Sequence, residues 1–203
     1  MADTVRALAL VCTLKPSPAK SSSDLITRQL LDLFAERNVT GEVLRVVDHD
    51  VRPGVEADMG EGDEWPEIRR KIAGADILLI ATPTWVGHMS SVAQRVLERL
   101  DAELSENDDE GRPAMFGKVA VAAAVGNEDG AHKIIADLFQ ALNDTGFSVP
   151  AQGGTYWNGE AMQGGDYTNL DETPKAVASA NATLVRNAVH LARLLKDAQY
   201  PVV

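Results

Sequence analysis

The chain has 203 residues, of which 45% are hydrophobic and 24% charged, and its formal net charge at pH 7 is −11. This length and composition predict one folded domain, spanning residues 1–203, that is large enough to bury a core. The acidic balance argues against a nucleic-acid-binding protein, which needs a basic face, and against docking on an anionic membrane surface.

Cysteine, histidine and the N-terminus narrow the class of protein further. The single cysteine, Cys12, excludes an internal disulfide bond. The four histidines fall in separate regions, so we expect no metal site. The N-terminus lacks the basic start of a signal peptide, and no apolar run is long enough to span a bilayer. We therefore expect a cytoplasmic protein that does not associate with membranes.

The chain begins with a strand, a polar loop and a helix. Residues Val5–Val11 form a mostly apolar run, which is typical of a strand covered on both faces. The loop 13–23 follows it. From Asp24 the apolar residues recur at helical spacing, and either Ser21 or Ser23 is suited to cap that helix.

The middle of the chain repeats this alternation. The pattern predicts a second strand over 41–49 and an acidic, Gly-rich surface loop over 52–64. A short helix is predicted over 65–75, followed by a strongly apolar third strand over 76–83. A further helix is predicted to begin at about Met89.

The last part of the chain completes the pattern. A fourth strand is predicted over 118–126, a helix over 131–146 and a short fifth strand over 147–154. A Gly-rich loop over 153–168 then leads to a final helix over 173–196. Five strands that alternate with helices predict a doubly wound α/β fold, in which helices cover both faces of a five-stranded parallel sheet. In such folds ligands bind at the carboxyl ends of the strands.

The loop after the first strand has the composition of a phosphate site. No acidic residue occurs between Asp3 and Asp24, although the chain as a whole is acidic. The loop ends at a helix N-terminus, where free N–H groups favour an anion. Its polar side chains are Thr13, Lys15, Ser17, Lys20, Ser21, Ser22 and Ser23. An ordinary polar loop with an N-cap explains the same residues. The loop matches neither the P-loop pattern nor Gly-x-Gly-x-x-Gly.

Two further loops follow buried strands. In the turn Pro83–Thr84–Trp85–Val86–Gly87, we expect the proline to end the strand and Gly87 to let a flat ligand approach the backbone. A tryptophan packed on a neighbour or on another subunit is the alternative. After the fourth strand, Gly126 and Gly130 bracket Asn127, Glu128 and Asp129, which ordinary turn chemistry also accounts for.

The order of these elements and loops resembles the flavodoxin-like FMN proteins. The stretch "PTWVGHM" is similar to the flavin-ring loop of NAD(P)H:quinone oxidoreductases and NADPH-dependent FMN reductases, and "CTLKPSPAKSSS" resembles their phosphate loop more loosely. "GNEDGAHK" stands at the position of their third flavin loop. The first loop departs from the family pattern, because Cys12 replaces the usual small glycine and the loop itself contains no glycine.

The resemblance implies an oxidoreductase that binds FMN and takes a hydride from NADPH or NADH. A quinone, a free flavin or a similar small molecule would be the electron acceptor, and the protein would form a homodimer or homotetramer. The resemblance places FMN against Thr13, Lys15, Ser21, Ser22, Ser23, Pro83, Thr84, Trp85, Val86, Gly87, Gly126, Asn127, Glu128 and Gly130. Since the flavin carries the chemistry, no catalytic side chain is required.

Other interpretations of the sequence stay open. A flavodoxin-type electron carrier is the main alternative, and the acidic surface suits basic redox partners. A signalling receiver domain needs acidic residues at the ends of its first and third strands. Cys12–Thr13 and Thr82–Pro83 stand there instead, which argues against that alternative. His88 is either a hydrogen-bond donor near a reduced flavin or quinone oxygen, or a solvated loop histidine. Tyr156 and Trp157 either line a substrate pocket or pack in the core or at an interface.

Overall fold

Strands and helices alternate along the chain in the computed structural model, which describes residues 4–160 and 163–202. The strands are β1 (Val5–Val11), β2 (Val39–Arg45), β3 (Ile77–Trp85), β4 (His88–Met89), β5 (Val119–Gly126) and β6 (Gly154–Asn158). The helices are α1 (Ser22–Ala35), α2 (Trp65–Ala73), α3 (Ser91–Leu100), α4 (Ala131–Asp144) and α5 (Lys175–Asp197). Two predicted features extend outside the described residues: the N-terminus at Met1–Asp3 and part of the Gly-rich loop at 161–162.

The strands form a parallel sheet in the order β2-β1-β3-β5-β6, and β4 adds a short antiparallel pair to the end of β3. The predicted five-stranded parallel sheet with helices on both faces is confirmed. After β1 the chain first adds β2 on one side and then β3 on the other. This reversal places a crevice outside the carboxyl ends of β1 and β3, which is where ligands bind in open α/β sheets.

Each face of the sheet has its own apolar core. On β1, Leu8 and Leu10 pack with α2, α3 and α4, whereas Ala7 and Ala9 pack with α1 and α5. The central strands have continuous apolar sequences because both of their faces are covered. No helix of the described chain is long and apolar enough to cross a membrane.

Two strands differ from their predicted bounds. β2 ends at Arg45, not at His49, because its partner β1 ends at Val11, opposite Arg45. The fifth strand lies at Gly154–Asn158 instead of 147–154, since Ser148 forms only an isolated bridge and a turn then joins Pro150 to Gly153. Consequently Tyr156 and Trp157 lie on an edge strand, although the sequence predicted a loop there.

The acidic loop 52–64 is fixed to α3 by a buried ion pair. Arg99 is fully buried, and its Nη2 lies 2.7 Å from Oδ2 of Asp63. The same guanidinium donates to the carbonyl oxygens of Arg52 and Glu56. Asp63 accepts hydrogen bonds from the backbone N–H groups of Arg52, Met59 and Trp65. This surface segment is therefore ordered by contacts that a linear sequence pattern does not reveal.

We predict that Asp63→Asn lowers the free energy of unfolding by about 3–5 kcal/mol, because it leaves the buried Arg99 charge unpaired. Glu67→Gln is the control, since it removes an exposed partner of Arg70 and should cost less than about 1 kcal/mol. Denaturant titration at pH 7 measures both variants. Equal losses of unfolding free energy in the two variants would show that burial of the Asp63–Arg99 pair does not add to stability.

The same carboxylate gives the folded protein a predicted pH dependence. Burial alone would raise the pKa of Asp63, but hydrogen bonds from Arg99 and the loop backbone hold it well below its usual value. The contribution of the ionised Asp63 carboxylate to the free energy of unfolding is therefore complete above its unfolded pKa of about 3.9. It is lost as the pH falls from there through the lower pKa of the folded protein. Asp63→Asn should lack this part of the acid slope, which denaturant titration between about pH 5 and pH 2 measures.

Candidate functional site

Ser90 connects the carboxyl ends of the two central strands. Its backbone N–H donates to Oγ1 of Thr82 at 3.0 Å, and its hydroxyl donates to the carbonyl oxygen of Cys12. The Ser90 hydroxyl also accepts the N–H of Ala93 at 3.1 Å, which caps α3. One buried side chain thus fixes the end of β1, the end of β3 and the start of α3 relative to one another.

The second predicted loop is a β-hairpin. β3 continues through Pro83 to Trp85, because Thr84 pairs with Met89 and Trp85 pairs with His88. The predictions that Pro83 ends the strand and that Met89 begins the helix are therefore wrong. Val86 and Gly87 form the two-residue turn with φ of +52° and +72°, the backbone pattern of a type I′ hairpin.

The tip of this hairpin exposes large apolar side chains. Trp85 is 51% exposed and Val86 is 86% exposed. A β-branched residue such as Val86 seldom adopts positive φ, and the strain is of the order of 1–3 kcal/mol. Thr84, by contrast, is buried on the opposite face of the hairpin. The tip therefore has a strained, exposed valine at a position where asparagine would adopt positive φ at a lower conformational cost.

The first predicted loop is fixed from the end of β2. Arg45 Nη1 donates to the carbonyl oxygens of Lys15 and Ala19, at 3.3 and 2.9 Å. The Asp48 carboxylate accepts both the N–H and the hydroxyl of Ser17, and these bonds lower its pKa. Both donors of Ser17 are therefore already used in hydrogen bonds within the protein. Sequence reasoning missed Arg45 and Asp48, because neither lies near the loop along the chain.

The N-terminus of α1 has the composition expected of an anion site. Ser21 caps the helix, as predicted, by accepting the N–H of Asp24 at 3.3 Å. Arg28 and Arg45 lie 2.8 and 3.6 Å from the Asp24 carboxylate and offset its charge. Lys15 and Lys20 are exposed and form no ion pair with other described residues. The positive end of the helix and these two lysines therefore favour an anion here.

The third predicted loop packs directly against the hairpin. A methyl group on Gly126 would lie 2.7 Å from Cβ of Thr84, and one on Gly130 would lie 2.9 Å from Cα of Gly87. Such distances leave no space for a side chain at either position. Gly87 itself has open space where a side chain would be. The structure thus brings the hairpin and the third loop together.

A fourth segment, which the sequence did not assign to the site, adjoins these loops. The N–H of Gly159 donates to the carbonyl oxygen of Gly126 at 2.7 Å. A methyl group on Gly159 would approach Asn127 to 3.0 Å. Asn158 precedes it at the carboxyl end of β6. The only sequence signal for this segment is the Asn-Gly pair that ends the strand.

Three buried oxygen atoms at this edge of the sheet lack a hydrogen-bond partner among the described residues. They are Oγ of Ser23, Oγ1 of Thr84 and Oδ1 of Asn158. An unsatisfied buried polar atom costs about 1–3 kcal/mol, so native proteins contain few of them. They lie at the start of α1, on the hairpin and at the end of β6. All three atoms are closed to solvent, so a ligand at the strand ends would reach them only after local side chains shift.

The remaining side chains near the site limit its chemistry. Burial raises the pKa of the Cys12 thiol strongly, so that this cysteine is not a ready nucleophile. Trp157 packs on Tyr167 at a centroid distance of 5.5 Å and borders the core, whereas Tyr156 contacts His132. Neither the thiol nor these aromatic contacts indicate covalent catalysis.

Comparisons with known proteins show the family to which a chain with this sheet and these loops belongs. The model of the NADPH-dependent FMN reductase family matches residues 5–163. The 8-demethyl-8-aminoriboflavin-5'-phosphate synthase of Streptomyces davaonensis is 33% identical over 97% of the chain and 80% of its own length. The crystal structure of RosB with bound 8-demethyl-8-formylriboflavin-5'-phosphate has a TM-score of 0.88 at 32% identity, covering 97% of this chain and 82% of RosB.

Another relative is similar over only part of its length. The divalent metal cation transporter MntH of Mycobacterium bovis is 34% identical to this chain over 96% of the chain. The chain spans only 29% of that protein.

We predict that Ser90→Ala lowers the free energy of unfolding by about 2–4 kcal/mol, because it removes the α3 cap and leaves the Cys12 carbonyl oxygen unpaired. Ser91→Ala is the matched control, since Ser91 is the exposed neighbour in the same helical turn. Thermal and denaturant unfolding of both variants tests the difference. A loss below about 0.5 kcal/mol for Ser90→Ala would contradict the role of Ser90 in connecting β1, β3 and α3.

Proposed function

The chain is an oxidoreductase of the NADPH-dependent FMN reductase family, and from that premise we propose that it binds FMN along the loops at the carboxyl ends of its strands. NADPH or NADH is the proposed reductant, and a small molecule such as a quinone or a free flavin is the proposed acceptor. The match to an enzyme family favours a reductase over the electron carrier that the sequence left open.

The observation that carries the proposal is the convergence of the three loops at the carboxyl ends of the strands, where the N-terminus of α1 and two hydroxyl groups without partners in the described chain lie. Ser23 Oγ lies in the first turn of α1, and Thr84 Oγ1 lies under the hairpin beside Gly126. Each hydroxyl is able to donate one hydrogen bond, and an FMN molecule offers acceptors at both its phosphate and its ring. Both oxygen atoms are closed to solvent, so bound ligand would satisfy them only if the loops around them shift on binding.

The phosphate is assigned to the α1 end of the site. Ser22 and Ser23 offer hydroxyls and backbone N–H groups, while Lys15 supplies charge. Hydrogen bonds to a charged group contribute about 1.5–3 kcal/mol each, so about four of them account for micromolar affinity. Thr13, also proposed to contact FMN, is nearly buried and accepts the Lys15 N–H at 3.3 Å, so it supports the shape of the loop as well.

The flavin ring is assigned to the hairpin and the third loop. Pro83–Gly87 would form one side of its pocket and Gly126–Gly130, which includes Asn127 and Glu128, another. Bound FMN supplies the redox chemistry, since its ring accepts a hydride from a nicotinamide and delivers electrons to an acceptor. The chain positions the ring and excludes water from it. Exposed Trp85 and Val86 suit either the acceptor or a second subunit, and we propose a homodimer or homotetramer.

A second candidate function uses the flavin as the substrate. It is favoured by two comparisons at 32–33% identity, one with a protein named a synthase of an 8-amino flavin phosphate and one with a structure that holds an 8-formyl flavin phosphate. The site that we assign to FMN as a cofactor would then hold an FMN derivative whose ring is altered. The phosphate contacts would be the same in both cases.

We predict that Ser22→Asp weakens FMN binding at least tenfold, because it places a negative charge in the proposed phosphate site. Fluorescence titration with FMN measures the affinity. Ser179→Asp, an exposed position on α5, is the matched control and should leave the affinity unchanged. Unchanged affinity of Ser22→Asp would place the phosphate elsewhere.

We also predict that the purified protein binds FMN saturably and that NADPH or NADH bleaches the bound flavin in the absence of oxygen. Visible spectroscopy with each nucleotide measures both steps, and the mass of the released flavin separates the two candidates. Unaltered FMN with rapid bleaching supports the reductase, whereas a changed flavin mass supports the second function. Absence of saturable FMN binding would contradict both.

A further inference from the structure

His88 and Trp85 lie on the same outward face of the hairpin. The two residues are direct cross-strand partners, and such partners point to the same side of a β-ribbon. The other pair, Thr84 and Met89, faces inward, where Thr84 is buried and Met89 packs against the core. An aromatic ring and an imidazole therefore lie side by side on the exposed face of the hairpin.

The ring of His88 is held by a side chain from α4. Lys133 Nζ lies 3.2 Å from His88 Nδ1 and 2.5 Å from Oδ2 of Asp137, one turn further along the helix. An ammonium group is only able to donate hydrogen bonds, so His88 Nδ1 must accept. The proton of the neutral imidazole then resides on Nε2. Lys133, itself paired with Asp137, thus favours this orientation of the His88 ring and the tautomer with the proton on Nε2.

We infer that His88 selects the electron acceptor by donating a hydrogen bond from Nε2–H to an oxygen atom of that molecule. The inference rests on the proposed reductase function and deepens it. A neutral imidazole does not readily release its Nε2 proton, so His88 orients and polarises the oxygen without transferring a proton. Lys133 and Asp137 are positioning residues that act through His88.

The third loop gives this face an acidic border. Lys133 is already paired with Asp137, and the adjoining third loop contributes Glu128 and Asp129. The hairpin touches this loop at Gly87 and Gly130. A nicotinamide nucleotide would have to keep its phosphates clear of this acidic loop, and so would an anionic acceptor. A neutral molecule with a carbonyl oxygen, such as a quinone, meets no such restriction beside His88.

The test compares two replacements of His88 in the FMN-loaded enzyme, with p-benzoquinone as the acceptor. His88→Leu removes the donor and should lower kcat/KM for the quinone about tenfold. His88→Gln carries an N–H at a similar reach and should recover most of that loss. Neither change should affect FMN affinity or bleaching by the nicotinamide. His190→Leu, which replaces an exposed histidine of α5, should leave all of these values unchanged.

A second measurement does not depend on turnover. Nitrogen-15 NMR of the imidazole groups should show His88 protonated on Nε2 in the unaltered protein and a mixture of tautomers in Lys133→Met. Lys175→Met, at the exposed start of α5, should leave the His88 signals unchanged. Lys133→Met should also lower kcat/KM for the quinone by about threefold.

The outcomes separate this inference from the proposed function. If the unaltered enzyme binds FMN and reduces it but His88→Leu retains full kcat/KM for p-benzoquinone, the inference is wrong and the reductase remains. A proton on Nδ1 of His88 would also overturn it. If neither nicotinamide reduces the bound FMN of the unaltered protein, the proposed function is wrong and the inference with it.

Discussion

The site depends on the hydrogen bonds that Ser90 makes to both central strands and to α3. Its hydroxyl joins the Cys12 carbonyl oxygen to the N-terminus of α3, and its N–H joins Thr82 to the same point. The first loop starts directly after Cys12, and the hairpin arm of β3 starts directly after Thr82. Their separation is therefore fixed before any ligand arrives. A ligand that spans both loops needs that separation to be constant, because a loose site would have to be ordered during binding.

Contacts from more distant parts of the chain hold the loops themselves. Arg45 and Asp48 hold the backbone of the first loop from the end of β2. The hairpin rests on the third loop, where only glycine fits at Gly130. The same principle applies beyond the site, since Arg99 and Asp63 fix the acidic loop to α3. Polar side chains thus determine the loop positions, while the apolar clusters on the two faces of the sheet determine the layers. This division lets the loops change without disturbing the core.

Local patterns in the sequence predicted those features that arise locally. The apolar run Val5–Val11 became a central strand, Ser21 became the cap of α1, and the helix predicted over 131–146 became α4, which Gly146 follows with φ of +106°. The three loops were located because parallel strands bring their carboxyl ends to one edge. The hairpin was missed because its turn contains Val86 where a type I′ turn normally has asparagine. Arg45, Ser90 and the His88–Lys133 pair could not be predicted, since each acts on residues distant in sequence. The assignment of individual residues to FMN stays a prediction.

The cost of the site explains why such supports are needed. Val86 is strained, and the buried oxygens of Ser23, Thr84 and Asn158 lack partners in the described chain. Each of these features costs on the order of 1–3 kcal/mol, which is large beside a typical folding free energy of about 5–15 kcal/mol. Ser90, Arg45 and Arg99 offset part of that cost. A ligand that satisfies the buried hydroxyls would offset more, and by mass action it would stabilise the folded state in proportion to its occupancy. Binding and folding are therefore coupled through the same few atoms at the carboxyl edge of the sheet.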